Sequence, residues 1–290
     1  MSSSNYTGIV QGEAEGFSRE RRHKPGRVVT GAIAFLEICH RDFLVSRREF
    51  IAFLFQFMIQ PFFFLFIFGK VLPMIGTARP DYAASLLPGM VALTTFMAAC
   101  QGLLMSLVLD LGQFREIDDR LLAPLSINMV ALEKVLFATL RGILGGVLVF
   151  PLAAWMLGSG YQVRGDDLGM MLGFMALTAL ASSTLGLVIG AAIQPKQLGM
   201  IFGIVFIPLI FTGCVFYPWI ALYRAPWFMV LTLLNPLTYA SEGLRATMMP
   251  PVHGSLVPTL PTDWVVVGLC ITTVIFLVLG MWLFYRRVVN

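Results

Sequence analysis

Long apolar runs separated by short polar clusters dominate this chain. The first run, Phe50 to Phe68 (FIAFLFQFMIQPFFFLFIF), is interrupted only by Gln56, Gln60 and Pro61, and the second, Leu86 to Leu109, carries no charge. Val135 to Leu157 holds the lone Arg141, and Leu168 to Ile193, Leu198 to Phe216 and Trp264 to Phe284 complete the series. Each run approaches the ~20 residues that a helix needs to cross a bilayer. The pattern predicts an all-α integral membrane protein with six transmembrane helices over residues 50–68, 86–109, 135–157, 168–193, 198–216 and 264–284.

The segment between the fifth and sixth runs is apolar only in pieces, because Pro218, Pro226, Pro236, Pro250 and Pro251 interrupt it. Prolines at these spacings prevent one continuous spanning helix. Short apolar pieces such as Ala225 to Leu234 instead predict an extracytoplasmic hairpin over residues 217–250, formed by two short re-entrant or interfacial helices.

Ahead of the first run, AIAFLEICHRDFLVSRREF places Ile33, Leu36, Cys39 and Phe43 on one helical arc and Glu37, Arg41 and Arg48 on another. That division predicts an in-plane amphipathic helix over residues 28–49. A plain basic anchor accounts for the same charges. Residues 1–27 lack the apolar core of a signal peptide and read as a disordered cytosolic tail.

Of 290 residues, 58% are hydrophobic and only 12% charged, too apolar a composition for a water-soluble domain. Among the 20 Lys and Arg residues, Lys70, Arg79, Arg164, Arg224 and Arg245 fall opposite the termini and Arg141 within a span; the rest lie on the side of the termini. An excess of cations marks the cytosolic face. Both termini are therefore expected in the cytosol, with the chain in the cell membrane.

Several chemistries lack their residues. There is no GxxxxGK[ST] phosphate loop, and Gly69-Lys70 has neither the upstream glycine nor the hydroxyl. His23, His40 and His253 are scattered, and the four cysteines, Cys39, Cys100, Cys214 and Cys270, form no CxxC. A membrane-embedded lipid transferase would need a carboxylate or histidine cluster, yet neither Asp118-Asp119 nor Asp166-Asp167 has a second acidic cluster at helical spacing. An ion-coupled carrier would want a carboxylate within a span, for which only Asp110 is near enough. No catalytic residue, metal site or cofactor of its own is expected, so the residues give no support to an enzyme.

The loop over residues 110–127 groups Glu116, Asp118, Asp119 and Arg120 beside Leu121 and Leu122. A short amphipathic helix of this kind suits a groove on a soluble partner, although a solvated loop that only holds topology would carry the same charges. Glu242 and Arg245, three residues apart, can pair on one helix face, which lowers the cost of a charge near hydrocarbon. Arg141 can snorkel, pair with Asp110 or meet an anionic cargo. Met90 and Met97 share one face of the second run with Met105, and together with Gln56, Gln60, Thr94 and Gln101 they mark a candidate cargo path. The same stripes also suit ordinary packing.

The order of four stretches resembles the membrane subunit of type-2 ABC exporters, similar to permeases of nodulation-factor export and daunorubicin resistance. These are LLPGMVA (Leu86 to Ala92), FREIDDRLLAPLS (Phe114 to Ser126), GCVFYP (Gly213 to Pro218) and NPLTYASEGLRA (Asn235 to Ala246). One departure is Ile117-Asp118, where Glu-x-Gly-Thr more often precedes the acidic residue. The resemblance implies a pair of permeases, identical or paralogous, over two ABC ATPase subunits that bind the ATP and Mg. It makes residues 114–126 the coupling helix and the in-plane helix the connecting helix. It also implies an outer gate at the hairpin, at Tyr217, Trp219, Asn235, Tyr239, Glu242 and Arg245. The expected function is export of an amphiphilic or lipidic molecule or hydrophobic drug, with membrane lipids around the chain and no nucleic-acid role. The alternative is export of a polysaccharide or lipid-linked glycan, for which Tyr217, Trp219, Tyr239 and Phe62 to Phe64 offer aromatic surfaces.

Overall fold

A computed structural model describes residues 50–77, 82–110, 127–158, 161, 163–249 and 258–289. The expected tail and in-plane helix lie outside them, as do Glu116, Asp118, Asp119, Arg120, Leu121 and Leu122. The described residues are helical, without strand. Helix α1 (Phe50–Phe64) continues through a π-helical stretch, Leu65–Val71, into Leu72–Met74. Then come α2 (Tyr82–Leu109), α3 (Ile127–Leu157) and α4 (Leu168–Ala192). Helix α5 is built from Leu198–Ile201, a π-helical Phe202–Phe206 and Ile207–Thr212. A 3-10 turn, Trp219–Arg224, leads to the short helices α6 (Pro226–Thr232) and α7 (Pro236–Met248), and α8 (Thr262–Val289) closes the chain.

Among the described residues six helices are long and apolar enough to span a membrane: Phe55–Met74, Ala84–Val108, Asn128–Leu157, Leu168–Ala192, Pro195–Thr212 and Thr262–Val288. Helix α3 begins eight residues before the expected Val135, because Glu133 and Lys134 break the apolar run without breaking the helix; both are buried. Helix α5 stops short of Phe216, and the chain turns at Gly213.

Helix α2 stands at the centre. Buried residues make up 78% of its apolar stretch, against 17% for α1 and 6% for α5. Small residues let the neighbouring backbones approach: a Cβ on Gly146 would lie 2.0 Å from Thr95 Oγ1, and one on Gly186 would lie 2.5 Å from the Cys100 carbonyl. Where α4 ends, Arg287 of α8 donates to the carbonyls of Gly190 (3.0 Å), Ala191 (3.1 Å) and Ile193, satisfying acceptors that a helix end leaves free. Trp155, Trp227 and Trp264 are exposed at the opposite end of the bundle, where α6 and α7 lie.

Candidate functional site

The sequence Asn235-Pro236 starts α7 in the way that helix ends favour, with an amide at the cap and proline in the first turn. Asn235 Oδ1 accepts from the Leu237 N–H at 2.9 Å. Its Nδ2 donates to the carbonyl of Leu209 (2.7 Å) and to Thr212 Oγ1 (2.8 Å), so the cap also fastens α7 to the end of α5.

The end of α5 leaves carbonyls without intrahelical donors, and one face of α7 supplies them. Thr238 Oγ1 lies 3.1 Å from the Thr212 carbonyl and 2.7 Å from that of Thr232. Ser241 Oγ shares its proton between Gly213 O (2.8 Å) and Leu237 O (2.9 Å). Arg245 donates to Cys214 O (3.0 Å) and Val215 O (3.4 Å). Residues 238, 241 and 245 recur at helical spacing, so consecutive carbonyls meet one row of side chains. The turn that aims those carbonyls has Cys214 at φ +52°, a left-handed conformation that L residues seldom adopt.

Glu242 links this row to two further segments. It forms an ion pair with Arg245, both side chains being 0% exposed. Glu242 Oε1 also accepts from the Trp219 N–H (2.9 Å) and Oε2 from the Leu260 N–H (3.2 Å). A buried ion pair is tolerated when hydrogen bonds satisfy its remaining atoms; here backbone N–H groups serve both carboxylate oxygens and carbonyls serve Arg245 Nη2, while Arg245 Nε has no partner among the described residues. The carboxylate and guanidinium thereby join α7 to the turn after α5 and to the approach to α8.

Helix α2 enters the same cluster. An added Cβ on Gly89 would lie 2.0 Å from the Val215 carbonyl, so only glycine permits this contact. Tyr82 Oη donates to Phe216 O at 2.9 Å; burial raises its pKa above the ordinary phenol value, with the Arg245 charge pulling the other way. At the far end of α7, the Arg164 N–H donates to Met248 O (3.0 Å) while its guanidinium pairs with Asp167.

The aromatic residues expected here gather around α7, with their polar tips engaged by backbone. Tyr217 Oη donates to Phe211 O (2.6 Å), Tyr239 Oη to Leu233 O (2.8 Å) and Trp219 Nε1 to Met229 O (3.2 Å). Burial, with Cys214 beside it, pushes the Tyr217 phenol up to about 12. Asn235 caps α7, and Glu242 and Arg245 stand on it, with Trp219 joined to Glu242 through its backbone N–H.

The expected cargo-path residues separate into two environments. Met90, Thr94 and Met97 of α2 are 0%, 3% and 2% exposed, packed within the chain because other helices surround α2. Gln101 is half-buried and reaches Met97 Sδ (3.4 Å), whereas Gln60 is half-buried on α1 and Gln56 is exposed there. Asp110 pairs with Lys134 of α3. Sequence reasoning missed Gly89, Gly213, Cys214 and Leu260, whose parts are played by backbone groups or by an absent side chain, and Thr238 and Ser241, whose hydroxyls meet carbonyls of the facing segment. Cys100 and Cys214 are buried free thiols, and Cys270 is exposed.

Three of the four stretches that carry the family resemblance thus converge. Gly89 of LLPGMVA meets Val215 of GCVFYP, and Arg245 of NPLTYASEGLRA bonds the same carbonyl. A comparison with curated proteins gives no match. The sequence model of the ABC-2 type transporter family matches residues 33–249, most of the chain and every residue of this cluster up to Met248. With six helices suited to spanning a membrane, a multi-pass membrane protein of permease type is indicated, and the chain belongs to the ABC-2 type transporter family.

Proposed function

We propose that this chain is the permease subunit of an ATP-driven exporter that moves an amphiphilic or lipidic molecule, or a hydrophobic drug, out of the cytosol. Two separate ATPase subunits bind and hydrolyse ATP with Mg. They act on the permease through residues 114–126, with Glu116, Asp118, Asp119, Arg120, Leu121 and Leu122 as the docking face. A second permease, identical or paralogous, completes the path in the plasma membrane, with both termini cytosolic. The α6–α7 hairpin is then re-entrant and forms the outer gate around Glu242 and Arg245.

The observation that carries the cargo class is the surface of α1. Phe55, Ile59 and Phe63 are 67%, 57% and 54% exposed, and Gln56 stands exposed among them. An amide in an apolar, aromatic face suits a molecule with a hydrocarbon body and a polar head. The aromatic tips of Tyr217, Trp219 and Tyr239 are engaged by carbonyls, which disfavours the alternative of a sugar-binding channel at those residues.

Native mass spectrometry of the chain purified from its own membrane in mild detergent tests the reading. A co-purifying P-loop ATPase and a retained amphiphile are expected. Repeated recovery without an ATPase would refute the exporter.

A further inference from the structure

Both ends of α2 are fastened by polar groups. At the α7 end, Gly89 abuts the Val215 carbonyl and Tyr82 Oη bonds Phe216 O. At the other end Asp110, just past the last residue of α2, pairs with Lys134 of α3; their side chains are 14% and 3% exposed. Lys134 Nζ also donates to Ser106 Oγ at 2.9 Å, one turn back along α2. From Gly89 to Leu109 no proline interrupts the helix, and every residue from Leu86 to Cys100 is buried. At 1.5 Å per residue the distance from Gly89 to Asp110 is ~32 Å, comparable with the hydrocarbon thickness of a bilayer.

We propose that the Asp110–Lys134 pair is the input point of a rigid strut, α2. The strut delivers a displacement of the α2–α3 connection to the Gly89–Val215 contact, and through Val215 to Arg245 and Glu242. The inference rests on the exporter reading, in which the ATPase acts on that connection. Asp110 precedes the connection and Lys134 lies about two turns into α3, so their pairing ties the end of α2 to the first turns of α3 and makes them move as one body. Without the pair, a push on the connection can separate the two helix ends instead of shifting α2 along its axis. At the opposite end, close packing of the glycine against a backbone oxygen leaves no slack to absorb the movement. Asp110 and Lys134 are positioning residues: they act through α2.

Amide hydrogen exchange on the full permease–ATPase complex reads both ends, comparing nucleotide-free protein with protein trapped by ATP and vanadate. In the wild type, exchange over residues 213–219 and 235–248 should differ between the two states. In Asp110→Asn and Lys134→Met, ATP hydrolysis and membrane insertion should persist while that difference is lost. The exchanged pair, Asp110→Lys with Lys134→Asp, should recover it, which a purely local stability defect would not predict. A wild-type-sized difference in both single variants overturns the strut. A wild-type complex that hydrolyses ATP without any change at residues 213–219 and 235–248 also overturns it, leaving the exporter reading intact. Failure of the wild-type chain to hold an ATPase removes the exporter reading and the strut together.

Discussion

Arg245 and Glu242 form a buried ion pair in which neither member depends on the other alone. The guanidinium also holds the carbonyls of Cys214 and Val215, and the carboxylate holds the N–H groups of Trp219 and Leu260. The surroundings are therefore polarised, with acceptors around the cation and donors around the anion.

Exchanging the two residues should fail. Glu242→Arg with Arg245→Glu preserves the pair but turns a carboxylate toward carbonyl oxygens and a guanidinium toward N–H groups. Removing one partner of a buried pair costs ~3–5 kcal/mol, and the exchange should be no more stable than either single replacement. Thermal unfolding of the detergent-solubilised chain decides it, and recovery of wild-type stability would contradict this assignment of partners.

Gly89→Ala should be among the least tolerated small changes. Its Cβ meets a backbone oxygen at 2.0 Å, and overpacking of this kind costs ~1–3 kcal/mol or more. Gly102→Ala in the same helix meets nothing within 4 Å and should leave stability unchanged or raise it by about 0.5–1 kcal/mol. Yield of monodisperse protein from the two variants provides the comparison.

Asn235→Asp should not substitute for asparagine, although both residues cap helices well. The acid retains the acceptor for Leu237 N–H but presents an oxygen to the Leu209 carbonyl, where the amide donates. Asn235→Ala is expected to lose ~1 kcal/mol from the cap alone. A melting temperature for Asn235→Asp equal to wild type would show that the cap is all that matters.

The Tyr217 phenol predicts an alkaline limit. Its folded pKa of about 12 exceeds the ordinary value of 10.0, so the unfolded chain loses this proton first. The stabilising contribution is complete below pH 10 and is lost as pH rises toward about 12. Tyr217→Phe should flatten that part of a stability-versus-pH curve, and an unchanged slope would remove Tyr217 as its source.

The spanning helices could be read in the sequence because their signal is a run of residues, which needs no knowledge of neighbours. The start of α3 was hidden for the same reason: Glu133 and Lys134 end the run, yet Lys134 is accommodated by Asp110 and Ser106 from α2. Spacing revealed that Glu242 and Arg245 could pair. It could not reveal the carbonyls that surround Arg245, since their direction follows from the left-handed Cys214, and cysteine carries none of the turn signal of glycine or asparagine. Met90 and Met97 were correctly placed near one face by their period, but a period cannot distinguish a face toward a cavity from one toward another helix.

The enclosure of α2 also divides the labour of the surface. A helix enclosed from Leu86 to Cys100 is over that length a bearing and not a wall: there it has nothing to offer to a passenger, a lipid tail or a second chain. Whatever meets this protein within the bilayer must do so largely along α1, α3, α5 and α8, where only 17%, 33%, 6% and 22% of the apolar stretches are covered by the chain itself. Changes along those outward flanks can alter the company the protein keeps without disturbing the fastening at the heart of the bundle.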